Sequence, residues 1–187
     1  MIVIETARVT IRRATATPDD IDFYYRLWTT PEVMRNVGFP QGLRVGREDV
    51  AKQLSEQLDS VFDRLLLVER RDTGERVGEC KLGTPDDEGV ASTDVKLLSD
   101  YWGNGFGTEI KRALVGYIFR NTDALAIKAT PNRDNTASRR MQQAVGGVVF
   151  AEGVFRFPPA MRDYTQDVSY VEYRVTREAW QQLQSSR

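Results

Sequence analysis

Short apolar and β-branched runs alternate along this chain with stretches whose apolar positions recur every three or four residues. Val3–Arg13 alternates loosely and predicts a first strand. Thr17-Pro-Asp-Asp20 reads as a helix start, with Thr17 as N-cap, Pro18 at the first helical position and an acid at the third. Ile21, Tyr24, Tyr25 and Trp28 then follow at helical spacing. Thr30-Pro-Glu32 opens a short helix ending near Val37, and residues 38–43 read as a loop. Arg47–Phe62 predicts a third helix with Val50, Leu54, Leu58 and Val61 on one face. Arg64–Glu69 and Arg76–Leu82 flank Asp72-Thr-Gly-Glu75, the signal of a hairpin. Val90–Leu98 is the next strand.

The stretch that organises the rest runs from Val95 to Gly146. Its centre is Trp102-Gly-Asn-Gly-Phe-Gly-Thr-Glu109, set between the end of a strand and a helix over Thr108–Arg120. In that helix Ile110, Leu114, Tyr117 and Ile118 form an apolar stripe. Glycine lets the backbone enter the left-handed region and lets a ligand approach without meeting a Cβ. The first amides of a helix lack intrahelical partners and sit at the positive end of its dipole. A strand end, a glycine turn and a helix start together predict a phosphate cradle. A second strand, Ala124–Thr130, leads to Pro131-Asn-Arg-Asp-Asn135-Thr-Ala-Ser138 and a short helix over Arg139–Val145, stopped at Gly146-Gly147. Val148–Phe155 and Asp167–Val175 predict closing strands, separated by the proline-rich loop Phe157–Asp163, and Thr176–Gln184 caps the chain. No repeat or linker interrupts residues 1–187, so the expectation is one α+β domain: a mixed, mostly antiparallel sheet with helices packed on it.

Composition narrows the chemistry. The 187 residues are enough for one buried core, and a net charge of −1 implies no broad attraction to nucleic acid. A local basic patch such as Arg139-Arg140 stays open. No apolar run is long enough to span a bilayer or to serve as a signal peptide, so no membrane partner is expected. Cys80 is alone, which fits a reducing cytoplasm and excludes an internal disulfide. There is no histidine. Serine–histidine and cysteine–histidine nucleophile systems and histidine metal sites are therefore impossible, and one cysteine cannot build a thiolate zinc cage. Any general base must be Asp, Glu, Tyr, Lys, Cys80 or a water chain.

The order strand, Trp102-x-x-Gly-x-Gly, helix, strand, Asn135-x-x-Ser138, helix, glycine resembles the GNAT acetyltransferases, and most closely the branch that holds the ribosomal-protein N-terminal acetyltransferases. Thr108-Glu109, the opening Glu5–Arg13, Pro31–Met34, Asp167–Tyr170 and Thr176–Trp180 extend the resemblance over nearly the whole chain. It implies a sheet splayed beside the glycine loop and acetyl-CoA as co-substrate, with no metal. Its acceptor would be a primary amine, either a protein N-terminal α-amine or a small molecule. It further implies that backbone groups of Leu97 and Leu98 bond the pantetheine arm. Trp102 opens the loop, and the amides of Gly103, Asn104, Gly105, Phe106, Gly107 and Thr108 hold the pyrophosphate. Asn135 and Ser138 meet the cofactor, or cap the helix that follows, or do both. The enzyme would be a monomer or homodimer.

Two positions depart from the pattern. Gln142 stands where many members have a tyrosine that protonates the leaving thiolate, and Gly147 where a phenylalanine is usual, which shifts the apolar role to Val148 or Phe150. An acid often found in this branch ten residues before the loop tryptophan is here Ser92. Asp94, two residues on and on the same face of an extended strand, is the candidate base, with Glu79 on the preceding strand as the alternative. The acceptor should meet Trp28–Val50 and Val154–Gln166. A dinucleotide-binding domain fits less well, because the spacing is G-x-G-x-G and the following strand ends in Ala129-Thr130 without an acid. A non-catalytic acyl-CoA sensor or partner-binding module on the same fold is the rival of another class.

Overall fold

The computed structural model describes residues 1–185. Eight strands form one sheet, in the order β1-β2-β3-β4-β5-β6-β8-β7. They are β1 (Ile2–Glu5), β2 (Val9–Arg13), β3 (Leu66–Arg70), β4 (Arg76–Leu82), β5 (Val90–Leu97), β6 (Ala126–Ala129), β7 (Val148–Phe155) and β8 (Val168–Thr176). Among the described residues only β5 and β6 run parallel. The helices are α1 (Pro18–Thr29), α2 (Pro31–Met34), α3 (Arg47–Ser55), α4 (Phe106–Asn121), α5 (Thr136–Gln143) and α6 (Arg177–Ser185).

Alternate residues of the central strands face opposite cores. Leu66 and Val68 pack with Ile110, Leu114 and Ile118 of α4, while Leu65 and Leu67 pack with Tyr24, Leu27 and Trp28 of α1 and Val50 and Leu54 of α3. Both faces of the sheet are thus covered, which is why residues 65–68 are continuously apolar.

Three expected elements differ. Val3–Arg13 is a hairpin rather than one strand. The Thr6 hydroxyl accepts from the Val9 amide (3.0 Å) and the Thr6 amide donates to the Val9 carbonyl (2.9 Å), closing a turn inside an otherwise alternating run. The third helix stops at Ser55, leaving Leu58 65% exposed. Side chains take over the backbone beyond it: Gln57 accepts from the Leu65 amide at 2.8 Å, and Ser60 from that of Phe62 at 3.0 Å. The fifth helix begins earlier than its apolar residues suggest, because the Asn135 carboxamide caps it by accepting from the Ser138 amide at 3.0 Å. The expectation that Val148 or Phe150 replaces a missing phenylalanine fails. Both stand on the edge strand β7, more than half exposed, and a Cβ on Gly147 would lie 2.7 Å from the Gln142 carbonyl.

The pairing that matters for function is the shortest. β5 and β6 share three registered positions, Val90↔Ala126, Ala91↔Ile127 and Ser92↔Lys128. β5 continues to Leu97, but β6 ends at Ala129, and Thr130-Pro131 carries the chain away. Proline disfavours helical backbone before it and offers no amide for a further rung. The sheet opens there.

Candidate active site

The gap between β5 and the departing β6 leads into a cavity of about 930 Å³. Its walls come from β5, the loop into α4, α4 itself, the segment after β6, and α5. On β5 the alternation of hydrogen bonds decides what the gap offers. The Leu98 amide donates to the Val77 carbonyl (3.0 Å) and the Gly83 amide to the Ser92 carbonyl (2.8 Å), so even-numbered positions bond to β4. The odd-numbered Val95 and Leu97 therefore turn their amides to the open edge. Leu98 is not available as expected, since its carbonyl also accepts from the Tyr101 amide at 3.1 Å. The Leu97 carbonyl is taken by the Trp102 indole N–H at 2.9 Å. Trp102 thus fixes the strand end to the loop, and the free edge amides are those of Val95 and Leu97 rather than that of Leu98.

The amides of residues 103–108 donate to no group among the described residues, whereas that of Trp102 is spent on Ser99 and that of Glu109 on Gly105. This is the cradle at the start of α4. Gly105 is the N-cap with φ of +79°, a backbone region that L side chains rarely adopt. A Cβ at Gly107 would lie 3.1 Å from Met141 Sδ and 3.9 Å from Leu97 Cδ1. The loop is anchored from outside: Glu109 accepts from Thr6 Oγ1 (2.6 Å) and from the Arg8 amide and Nε (2.9 and 2.6 Å), and Arg8 donates to the Asn104 carbonyl (2.9 Å). Arg8 also lies over the Phe106 ring. Gly103, Gly105, Gly107, Thr108, Asn135 and Ser138 all line the cavity, while the Asn104 side chain donates to the Trp102 carbonyl at 3.0 Å within the loop.

Across β5 lie the carboxylates. Glu79 and Asp94 share one face, since Glu79 pairs with Lys96 and Lys81 with Asp94 in the β4–β5 register. Lys96 Nζ donates to both, to Glu79 Oε1 at 2.9 Å and to Asp94 Oδ2. Glu79 is buried, accepts from the Trp28 indole at 2.9 Å and does not line the cavity. Asp94 does, with its side chain half exposed. Burial would raise the pKa of Asp94, but the charge and hydrogen bond of Lys96, helped by Lys81, bring it below the usual value. Cys80 faces the other core, where burial pushes its thiol up and keeps it protonated.

Of the segments expected to meet an acceptor, the first supplies Val33, Asn36 and Val37 to the cavity wall. The second does not reach it. Phe157 and Tyr164 pack on Phe39, with centroids at 5.2 and 6.3 Å, and the Gln166 amide bonds the Gly38 carbonyl at 2.8 Å, so it buttresses the first.

Sequence reading missed Lys111. It is 2% exposed, lines the cavity and donates to Thr93 Oγ1. Burial lowers its pKa to about 7, with the charge of Asp94 opposing the shift. A signal was present: Lys111 lies between Ile110 and Leu114, both fully buried, on a helix whose stripe is otherwise apolar.

An open strand edge beside a helix start with unspent amides defines a site for a long ligand that ends in a phosphate, the layout of a CoA-dependent acyltransferase. The comparison of sequences agrees: residues 8–148 match the acetyltransferase (GNAT) domain, and the chain belongs to the GNAT family of acetyl-CoA-dependent acetyltransferases. Solved structures share the fold. A GNAT-family acetyltransferase from Bacillus anthracis is 20% identical with a TM-score of 0.75, covering 95% of this chain and 99% of that one. AAC(6')-Ib in complex with ribostamycin and coenzyme A is 20% identical with a TM-score of 0.72, over 96% and 99%. A Vibrio cholerae protein provisionally described as a ribosomal-protein-serine acetyltransferase is 14% identical with a TM-score of 0.70, over 94% and 97%.

Proposed function

We propose that this chain transfers an acetyl group from acetyl-CoA directly to a primary amine, either a protein N-terminal α-amine or an amine of a small molecule. The observation that carries the reading is the row of unspent amides at residues 103–108, continuous with the open edge of β5. These residues fit the co-substrate: the loop amides receive the pyrophosphate, and the Val95 and Leu97 amides receive the pantetheine arm as a strand would. Asn135, whose Oδ1 caps α5, retains its amide N–H groups for the ligand. When bound, acetyl-CoA supplies an activated thioester carbonyl and a thiol leaving group.

The remaining work belongs to the chain. Asp94 is the proposed base, because its carboxylate borders the cavity and Lys96 keeps it ionised. It draws an incoming ammonium toward β5 and accepts a proton as the amine becomes nucleophilic. Glu79 remains the alternative, acting from behind Lys96. Gln142, buried in the wall, has no proton to give, so the thiolate takes its proton elsewhere. AAC(6')-Ib, named for aminoglycosides, supports a small polyamine as acceptor, and the Vibrio cholerae protein supports a protein N-terminus. The proposed setting is a reducing cytoplasm, supported by the lone Cys80, with the enzyme a monomer or homodimer and neither nucleic acid nor membrane as partner.

Free-thiol release, measured with acetyl-CoA against a panel of N-terminal peptides and small amines, tests the reading. Turnover with a member of either class supports it. Binding of acetyl-CoA without thiol release to any amine would return the chain to the role of an acyl-CoA sensor.

A further inference from the structure

Transfer of an acetyl group leaves Lys111 without a task. The side chain stands on α4 one turn past Gly107, among Ile110, Leu114 and Val115, all buried. A residue that served only packing at this position would be apolar like its neighbours. Its ammonium instead enters the cavity wall and finds the Thr93 hydroxyl. No carboxylate forms an ion pair with it among the described residues; Asp94 is held by Lys96 on the opposite face of β5. A buried ammonium without an anion is costly, so the arrangement is completed only by an anionic ligand.

The place of that anion along the gap can be read from β5. Leu97 marks the level of the glycine loop, because its Cδ1 lies 3.9 Å from where a Cβ on Gly107 would be. Thr93 is four residues further back, about 13 Å of extended chain. It comes immediately after the last β5–β6 rung, Ser92↔Lys128. A thioester whose pyrophosphate rests on residues 103–108 brings its acyl group, not its phosphates, to this end. Lys81 and Lys128 line the same cavity. The lining carboxylate Asp63 is occupied by the Thr84 amide and hydroxyl.

We propose that the donor site accepts, besides acetyl, short acyl thioesters of CoA that end in a carboxylate, with Lys111 and Thr93 receiving that carboxylate. The inference rests on the donor-site reading above and adds the class of acyl group. A carboxylate at this point accepts a charge-assisted hydrogen bond from Lys111 Nζ and a second from Thr93 Oγ1, while the methyl of an acetyl group satisfies neither.

Calorimetric titration without acceptor, using acetyl-, malonyl-, succinyl- and glutaryl-CoA, tests it by binding alone. At least one of the three carboxylated thioesters is expected to bind about tenfold more tightly than acetyl-CoA. In Lys111→Met the ratio of the two affinities should fall by about thirtyfold, the low end for removing one partner of a buried charge pair. Lys111→Arg, which keeps the charge, should retain a preference for a carboxylated donor. A ratio unchanged in Lys111→Met, or acetyl-CoA bound more tightly than all three by the unmodified protein, overturns the proposal and leaves the donor site standing. Failure of every thioester to bind overturns the donor-site reading and this inference with it.

Discussion

Asp20 has no solvent exposure and accepts hydrogen bonds from Arg12 at both oxygens (2.7 and 2.8 Å), from Arg76 (3.0 Å) and from the Thr15 amide and hydroxyl (3.0 and 2.9 Å). The same residue is the acid that the sequence places at the third position of a helix; its tertiary role outweighs the capping one. Burial would raise its pKa, but Arg12 and Thr15 hold it well below the ordinary carboxylate range. A folded value below the unfolded one means the contribution is complete above about pH 4 and lost as pH falls further. Asp20→Ala should cost about 2–3 kcal/mol in urea unfolding at pH 7, since it removes the buried acceptor shared by Arg12, Arg76 and Thr15, while Arg12 keeps Glu69 as its carboxylate partner at 2.8 Å. Lys111 runs the opposite way. Its folded pKa of about 7 lies below its ordinary 10.5, so the unfolded chain binds more protons between those values and stability rises as pH climbs through them. Lys111→Met should therefore be more stable than the parent at pH 7, with the gain shrinking toward pH 10.5 in the same measurement. In the proposed chemistry, Asp94→Asn should lower kcat by about a hundredfold with KM for acetyl-CoA little changed, and Glu79→Gln should be milder. Full kcat in both variants across the pH range would remove both carboxylates from the role of base.

At the scale of elements, α4 carries the site at one end and the fold's closure at the other. Gly105 at its start holds a left-handed conformation that a Cβ makes costly. Gly105→Val should abolish the rise in melting temperature on adding CoA while leaving the far-UV spectrum folded; a persisting rise would reduce the loop to a turn. At its far end, Arg177 of α6 donates to the carbonyls of Phe119 and Thr122 (2.6 Å each) and of Ala124 (2.8 Å). Most of these elements were legible in the sequence. β4 and β7 fall where their apolar runs lie, because a continuous or alternating pattern between turn residues leaves little choice. The misplaced ends of the first strand and the third helix share one cause. Thr6, Gln57 and Ser60 redirect the backbone through their side chains, and a periodicity of apolar residues cannot register a hydroxyl or carboxamide that competes with the ladder.

At the scale of the whole molecule, function follows from a mismatch of strand lengths. β5 outruns β6 by the residues from Thr93 to Leu97, and in the proposed function this surplus edge is the binding surface, with the start of α4 as its mouth. The glycine loop was legible because its spacing has few other uses. Lys111, Thr93 and the Lys96 bridge were not, because they meet only when β4, β5 and α4 are stacked; a sequence shows each as an isolated polar residue. The proposed site rests most on the loop amides, and backbone amide NMR of the labelled protein titrated with CoA observes them directly. Resonances of residues 103–108 should move to saturation together with those of Val95 and Leu97, while α6 stays in place. Saturable binding that leaves residues 103–108 unmoved would contradict the account.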